Sequence, residues 1–229
     1  MPAPDPGTDA ASPGDSSSLP PAVVFDLDGT LVDSLPDIVT SFRLAFIAAG
    51  LPAPREAEVR DAIGEPLDAM YARFVPTGRV DELCGRYRSH YAEHLADSSR
   101  PFPGVPALLE ELGRRGYRRA VASTKRTATA RRLVERTGLT SLLDHVEGTD
   151  AAPYKPAPDV VLRALAAVGG RGTWMVGDTV GDVEAGRAAG LATYAVSWGT
   201  HDAARLGRAQ PSELQPDLSR LLELCPPQR

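Results

Sequence analysis

Two carboxylates, Asp26 and Asp28, stand at alternate positions where the apolar run Val23 to Phe25 ends, and Gly29 follows them. A run of β-branched and aromatic residues of this kind reads as a buried strand. Ligands of open α/β sheets bind beyond the carboxyl ends of the strands, so this strand would deliver two acids where a substrate sits. Close carboxylates repel each other and are most easily kept beside a hard divalent cation with oxygen ligands, which points to Mg²⁺. A lone D-x-D-G is more often only a turn, because Asp and Gly favour turns for reasons unrelated to chemistry. Three later segments supply other parts of one site.

The first is Val121-Ala122-Ser123-Thr124-Lys125, where a hydroxyl at a strand end can donate to a phosphate oxygen and the next backbone N–H can do the same. By itself Ser-Thr would more often cap the following helix. The second is Tyr154-Lys155-Pro156-Ala157-Pro158-Asp159, in which prolines restrict the chain just after Lys155. An ammonium group held in this way can sit on a phosphoryl group and offset a local excess of carboxylates. The third is Met175-Val176-Gly177-Asp178-Thr179-Val180-Gly181-Asp182, a further strand ending in an acid with another acid in the first helical turn. Asp182 is in a position to be only a helix cap, whereas Asp178 adds a third strand-end acid, as an oxygen-ligated cation site requires.

These residues need elements to hold them. After the first strand, Ser34-Leu35-Pro36 reads as a helix start, and that helix runs to Gly50. Helical patterns alone follow from Arg55 to about Asp97: Glu56 to Ile63, Leu67 to Val75 and Val80 to Ala96. Asp97 to Pro101 reads as a return linker, and the helix opened by Phe102-Pro103-Gly104-Val105-Pro106 ends near Gly116. Beyond it, strands Arg118 to Ala122, His145 to Glu147, Thr173 to Val176 and Ala192 to Val196 alternate with helices Ala128 to Gly138, Pro158 to Val168 and Val180 to Gly190. A helical pattern from Asp217 to Leu224 should pack against the sheet edge. The alternation predicts an α/β fold: a Rossmann-like parallel sheet with helices on both faces, plus an inserted all-helical domain. The expected division is a disordered tail over 1–21, a catalytic core over 22–50 and 101–229, and a cap over approximately 51–100, whose first packing helix starts as early as residue 36.

A length of 229 residues with 42% apolar content is ample for such a core. The net charge of −5 with no basic stretch argues against nucleic acid or an anionic membrane as partner. Cys84 and Cys225 lie far apart without metal-ligand spacing, so they read as free thiols. The first 21 residues hold six prolines and no Lys or Arg, unlike a signal peptide, and no later apolar run of about 18 residues could span a membrane. A cytoplasmic protein, monomer or homodimer, is expected.

Taken together and in this order, the four segments resemble the haloacid dehalogenase-like hydrolase superfamily. The signature covers residues 23 to 182. The finer pattern is similar to its phosphoglycolate phosphatase branch: Asp33-Ser34-Leu35-Pro36-Asp37, Ile63-Gly64-Glu65-Pro66-Leu67 and Trp198-Gly199. The resemblance implies a Mg²⁺-dependent phosphatase acting on a small phosphomonoester. Asp26 would attack phosphorus and carry an aspartyl phosphate, and Asp28 would protonate the leaving oxygen and then activate water. Mg²⁺ would take the carboxylates of Asp26 and Asp178 and the backbone carbonyl of Asp28, with Asp182 a ligand or an outer orienter. Ser123 and Lys155 would hold the phosphoryl oxygens, with Gly29 and Thr124 beside them. The all-helical insertion lies where this family places its cap domain, which would close over the site with Gly64 and Glu65 on the loop facing the catalytic centre. Tyr71, Arg73 and Tyr91 are further cap positions whose usual fate is plain surface or core. Dehalogenases of the superfamily lack an acid corresponding to Asp28, and its sugar phosphomutases carry a His where Ile38 stands, so both alternatives fit less well. A catalytically idle binding protein would have no need to keep every acid, the Ser and the Lys.

Overall fold

The computed structural model describes residues 19–151 and 153–228. Its strands, in chain order, are β1 (Pro21–Phe25), β2 (Val32–Asp33), β3 (Arg100–Pro101), β4 (Arg118–Ala122), β5 (His145–Glu147), β6 (Arg171–Gly177), β7 (Ala192–Val196) and β8 (Glu213–Gln215). The helices are α1 (Leu35–Ala48), α2 (Glu56–Ala62), α3 (Leu67–Ala72), α4 (Val80–His94), α5 (Val105–Arg114), α6 (Thr127–Arg136), α7 (Asp159–Val168), α8 (Val180–Ala188), α9 (Ala203–Arg208) and α10 (Leu221–Leu224). Six strands form one sheet in the order β5-β4-β1-β6-β7-β8, and every neighbouring pair is parallel. The chain winds outward from β1 through β4 and β5, then crosses to the other side for β6, β7 and β8. The carboxyl ends of β4, β1 and β6 therefore meet where the winding reverses, the place at which such sheets bind ligands.

Strand β1 is buried at every residue because helices cover both faces of the sheet. Its alternation decides which layer each side chain meets. Val23 and Phe25 join Leu109 and Leu112 of α5 and Leu133 of α6, whereas Val24 joins Met175 of β6 and Val160, Val161 and Ala164 of α7. The α/β architecture expected from the alternation is thus the one observed.

Between β2 and β3 the chain is helical, with α1 packed on α4 and α2, and α3 packed on α4. Phe42 of α1 stacks on Tyr71 of α3 at 4.0 Å between ring centroids, and Phe46 and Phe74 complete the cluster. Aromatic side chains each bury roughly 150–250 Å², so these rings dominate the packing of the helices. The two chain crossings into this helical layer are tied together. Val32 pairs with Pro101 and Asp33 with Arg100, while the buried Asp37 carboxylate accepts the N–H groups of Ser98 and Ser99 at 3.0 and 2.8 Å and the Ser99 hydroxyl at 2.6 Å.

Several details differ from the sequence reading. The expected return linker includes β3, whose partner β2 is too short to leave a strand pattern. The helix expected from Asp217 forms only over Leu221–Leu224, because the Asp217 side chain accepts the Ser219 N–H in a local turn. Upstream, α9 and the sheet's edge strand β8 lie where no element was expected, and the half-buried sequence of β8, Glu-Leu-Gln, carries no β-branched signal. The expected tail falls outside the described residues up to residue 18, and Pro21 already pairs in β1.

Candidate active site

The site grows from the ends of three adjacent strands. Asp26 directly follows β1, and its N–H donates to the Val176 carbonyl of β6 at 2.8 Å, which fixes the strand end. Gly29 then turns at φ +79°, directly against Asp178, where any Cβ would collide with that carboxylate. Asp178 is fully buried at the end of β6. One of its oxygens accepts the Thr30 hydroxyl at 2.7 Å and the other the Thr200 N–H at 2.7 Å. Asp182 lies in the first turn of α8 and forms a reciprocal cap with Thr179, whose N–H and hydroxyl donate to its Oδ2 at 2.9 and 2.6 Å.

Lys155 sits among these acids. Its Nζ donates to Asp26 Oδ1 and Asp182 Oδ1, each at 2.5 Å, and to the Ala122 carbonyl at the end of β4 at 3.0 Å. A second ammonium, Lys125, stands 3.0 Å from Asp28 Oδ2 and 4.6 Å above the Tyr91 ring of α4. The other Asp28 oxygen accepts the Ser34 hydroxyl. Asp28 is therefore held from both sides, by a residue preceding α1 and by one following β4.

Four carboxylates, Asp26, Asp28, Asp178 and Asp182, share the centre with two ammonium groups, so the acids outnumber the cations by two. The imbalance shows in the titration of the acids. Burial pushes the Asp26 carboxyl well up, Lys155 pulls it back, and Asp182, Asp178 and Asp28 raise it further. Burial and Asp182 push Asp178 up to about 7 against its hydrogen bonds from Thr200 and Thr30. Lys155 is driven the other way, since burial would lower it but Asp182 and Asp26 hold it above the ordinary lysine value. One oxygen from each of Asp26, Asp178 and Asp182 lies within 4.8 Å of the others. A compact, all-oxygen donor set in which acids outnumber cations suits a hard divalent cation such as Mg²⁺.

A cavity of about 300 Å³ opens over the centre and is walled by both the sheet end and the helical layer. Asp26, Asp28, Thr124, Lys155 and Asp182 line it from the sheet side, and Gly64 and Glu65 line it from the loop after α2. Gly64 approaches Thr179 closely, where an added Cβ would come to 3.1 Å of its methyl group. Glu65 pairs with Arg73, which also meets Asp61 at 3.2 Å. Ser123 is buried and is not among the residues that line the cavity. Its hydroxyl oxygen accepts the Lys125 N–H at 3.1 Å, which leaves its proton for another acceptor. Gly29, expected beside the substrate, instead lies against Asp178 outside the lining, so its contribution is to let the chain pass that carboxylate. Among the further cap positions, Tyr91 lines the cavity, Tyr71 is core with its hydroxyl 3.3 Å from the Phe42 carbonyl, and Arg73 is a surface ion pair.

Sequence reasoning missed Lys125, Thr30 and Thr200. The only sequence signal for Lys125 is its place two residues beyond Ser123 on the same strand-end turn. Thr30 and the backbone of Thr200 serve Asp178 from distant parts of the chain and leave no local pattern.

A family model described as haloacid dehalogenase-like hydrolase matches residues 23–196. A protein of Dickeya dadantii named probable phosphatase IndB is 34% identical over 213 residues, which cover 89% of this chain and 93% of that protein. A phosphoglycolate phosphatase of Mesorhizobium japonicum is 32% identical, covering 80% of this chain and 85% of its own. Among solved structures, a haloacid dehalogenase-like family hydrolase from Streptococcus pneumoniae superposes with a TM-score of 0.81 at 29% identity, covering 91% of this chain and 99% of that one.

Proposed function

The chain belongs to the haloacid dehalogenase-like hydrolase family, and from that premise we propose that it is a Mg²⁺-dependent phosphatase that cleaves a small phosphomonoester through a phosphoryl group carried on Asp26. The observation that carries this reading is the meeting of Asp26, Asp178, Asp182 and Lys155 at the ends of adjacent strands, under a cavity open to a small ligand.

Asp26 Oδ attacks phosphorus in line with the leaving oxygen. Asp28, oriented by Ser34 and Lys125, gives that oxygen a proton and afterwards takes one from the water that frees the phosphate. Lys155 and the N–H of Thr124 hold the phosphoryl oxygens and balance the charge spread over them, while Ser123 orders that turn by accepting the Lys125 N–H. Asp26, Asp178, Asp182 and the Asp28 carbonyl would hold Mg²⁺, which when bound supplies neutralising charge and polarises a phosphoryl oxygen. The helices between β2 and β3 act as a cap that shields the reacting atoms from bulk water, with the Gly64–Glu65 loop at its inner face. Ile38, an apolar residue, stands in the cavity wall and has no proton to exchange, which favours hydrolysis over phosphoryl migration.

Phosphate release measured on a panel of phosphomonoesters, before and after chelation, tests the reading. Removing the metal is expected to lower turnover by on the order of 10³, because several kcal/mol of charge stabilisation are lost, and added Mg²⁺ should restore it. Turnover that survives thorough chelation would refute metal dependence.

A further inference from the structure

Among the described residues, one ion pair joins the helices between β2 and β3 to the sheet and its own helices. Arg205 of α9 donates through Nη1 to Asp61 Oδ1 of α2 at 2.8 Å, across 144 positions of the chain. The other Asp61 oxygen accepts Arg73 Nη1 at 3.2 Å, and the second arm of that guanidinium donates to Glu65 Oε1. Glu65 in turn lines the cavity. Alternating charges, Arg205, Asp61, Arg73 and Glu65, thus run from the sheet side to the wall of the substrate's space.

Both ends of this run are anchored at the catalytic centre. Arg205 follows a segment tied to Asp178, since the Thr200 N–H donates to Asp178 Oδ2 at 2.7 Å and the His201 N–H to its carbonyl at 3.3 Å. The buried His201 ring accepts the Val180 N–H through Nδ1 at 3.0 Å, which fixes the same segment to the start of α8. Asp202 then caps α9 by accepting the Arg205 N–H at 2.7 Å. At the other end, Gly64 at φ +103° lets the loop after α2 settle against Thr179. Arg205 itself is not among the residues that line the cavity.

Resting on the phosphatase reading above, we propose that Arg205 is a positioning residue for the substrate: through Asp61 and Arg73 it holds the Gly64–Glu65 loop against the sheet, and so keeps Glu65 in the cavity wall. The strength of the contact suits a loop that must also release. An exposed ion pair shifts an equilibrium by roughly 1.5- to fivefold, enough to bias the loop towards its closed place without locking it there.

The test compares wild type with Arg205→Gln, Asp61→Ala and the double variant. Hydrogen exchange of the Ile63 and Glu65 amides, which donate to the Arg60 and Ala62 carbonyls at 3.1 and 3.2 Å, reads the loop directly. Their protection should fall by about two- to fivefold in Arg205→Gln, while the amides of β1 and β6 keep theirs. Adding Arg205→Gln to Asp61→Ala should cost nothing more, because the partner is already gone. The difference between wild type and Arg205→Gln should vanish near 1 M NaCl, where surface charges are screened. With p-nitrophenyl phosphate at fixed Mg²⁺, Arg205→Gln should raise KM by up to about fivefold and leave kcat within twofold, as when the competent fraction shrinks. Wild-type protection of the loop in Arg205→Gln, or a further loss when it is added to Asp61→Ala, would overturn the proposal. So would a fall in kcat with KM unchanged, which would mean that Arg205 serves the chemistry and not the loop. Absence of phosphate release from p-nitrophenyl phosphate and from the panel above would instead remove the phosphatase reading, whereas the exchange data would still decide whether Arg205 holds the loop.

Discussion

Asp26→Asn is expected to lower kcat on any hydrolysed phosphomonoester by on the order of 10³ or more, because the substitution removes the attacking oxyanion while keeping the side chain's shape. The fold should survive it. Asp26 is a buried acid whose charged form is disfavoured by burial and by three neighbouring carboxylates, so an uncharged amide relieves that repulsion. What it forfeits is the charge on one arm of the Lys155 contact, and Asp182 and the Ala122 carbonyl still hold that ammonium. Loss of turnover with an unchanged thermal midpoint and circular dichroism spectrum is the predicted result. Retention of more than a tenth of wild-type kcat would show that another group makes the attack.

The second large effect is expected at Lys155. Lys155→Ala withdraws a cation that touches both Asp26 and Asp182 and leaves both carboxylates in a buried site. Breaking a buried ion pair from one side typically costs about 3–5 kcal/mol, so denaturant unfolding of the chelated protein should shift by a comparable amount. Catalysis should fall by on the order of 10²–10³ in kcat/KM, as when an electrostatic donor is removed from a transition state. Lys155→Arg should not rescue it, because a planar guanidinium cannot take the place of a compact ammonium that contacts three oxygens at 2.5–3.0 Å. Unfolding and kcat/KM both within threefold of wild type would contradict this account of the centre.

The sequence revealed those features whose cause is local. Asp26 and Asp178 each end an apolar β run, so both their place beyond the sheet and their nearness to one another follow from strand pattern and parallel topology. Helices α2 to α4 were legible because their apolar spacing repeats without interruption by β-branched runs. What remained hidden joins residues far apart in the chain. Lys125 reaches Asp28, Thr30 and Thr200 hold Asp178, and Arg205 of α9 meets Asp61 of α2 at 2.8 Å, none of which any periodicity encodes. The same holds for the cavity. Its wall combines Ile38 of α1, Ile63 at the end of α2, Met70 of α3 and Tyr91 of α4, which individually read as ordinary core positions. Strand β8 was invisible for another reason, since pairing with β7 supplies its order and its own residues have no strand preference.

The central claim is that the phosphoryl group rests on Asp26, and the most direct measurement is to stop turnover with acid and map the phosphoryl by peptide mass spectrometry. With p-nitrophenyl phosphate, whose leaving oxygen needs no proton, the Asp28→Asn variant should show it most strongly, because the group that activates water for the second step is missing. The account predicts a phosphoryl group on the peptide that contains Asp26 in both wild type and Asp28→Asn, and none in Asp26→Asn. A phosphoryl group on a different residue, or turnover by Asp26→Asn at the wild-type rate with no protein-bound phosphoryl, would contradict it.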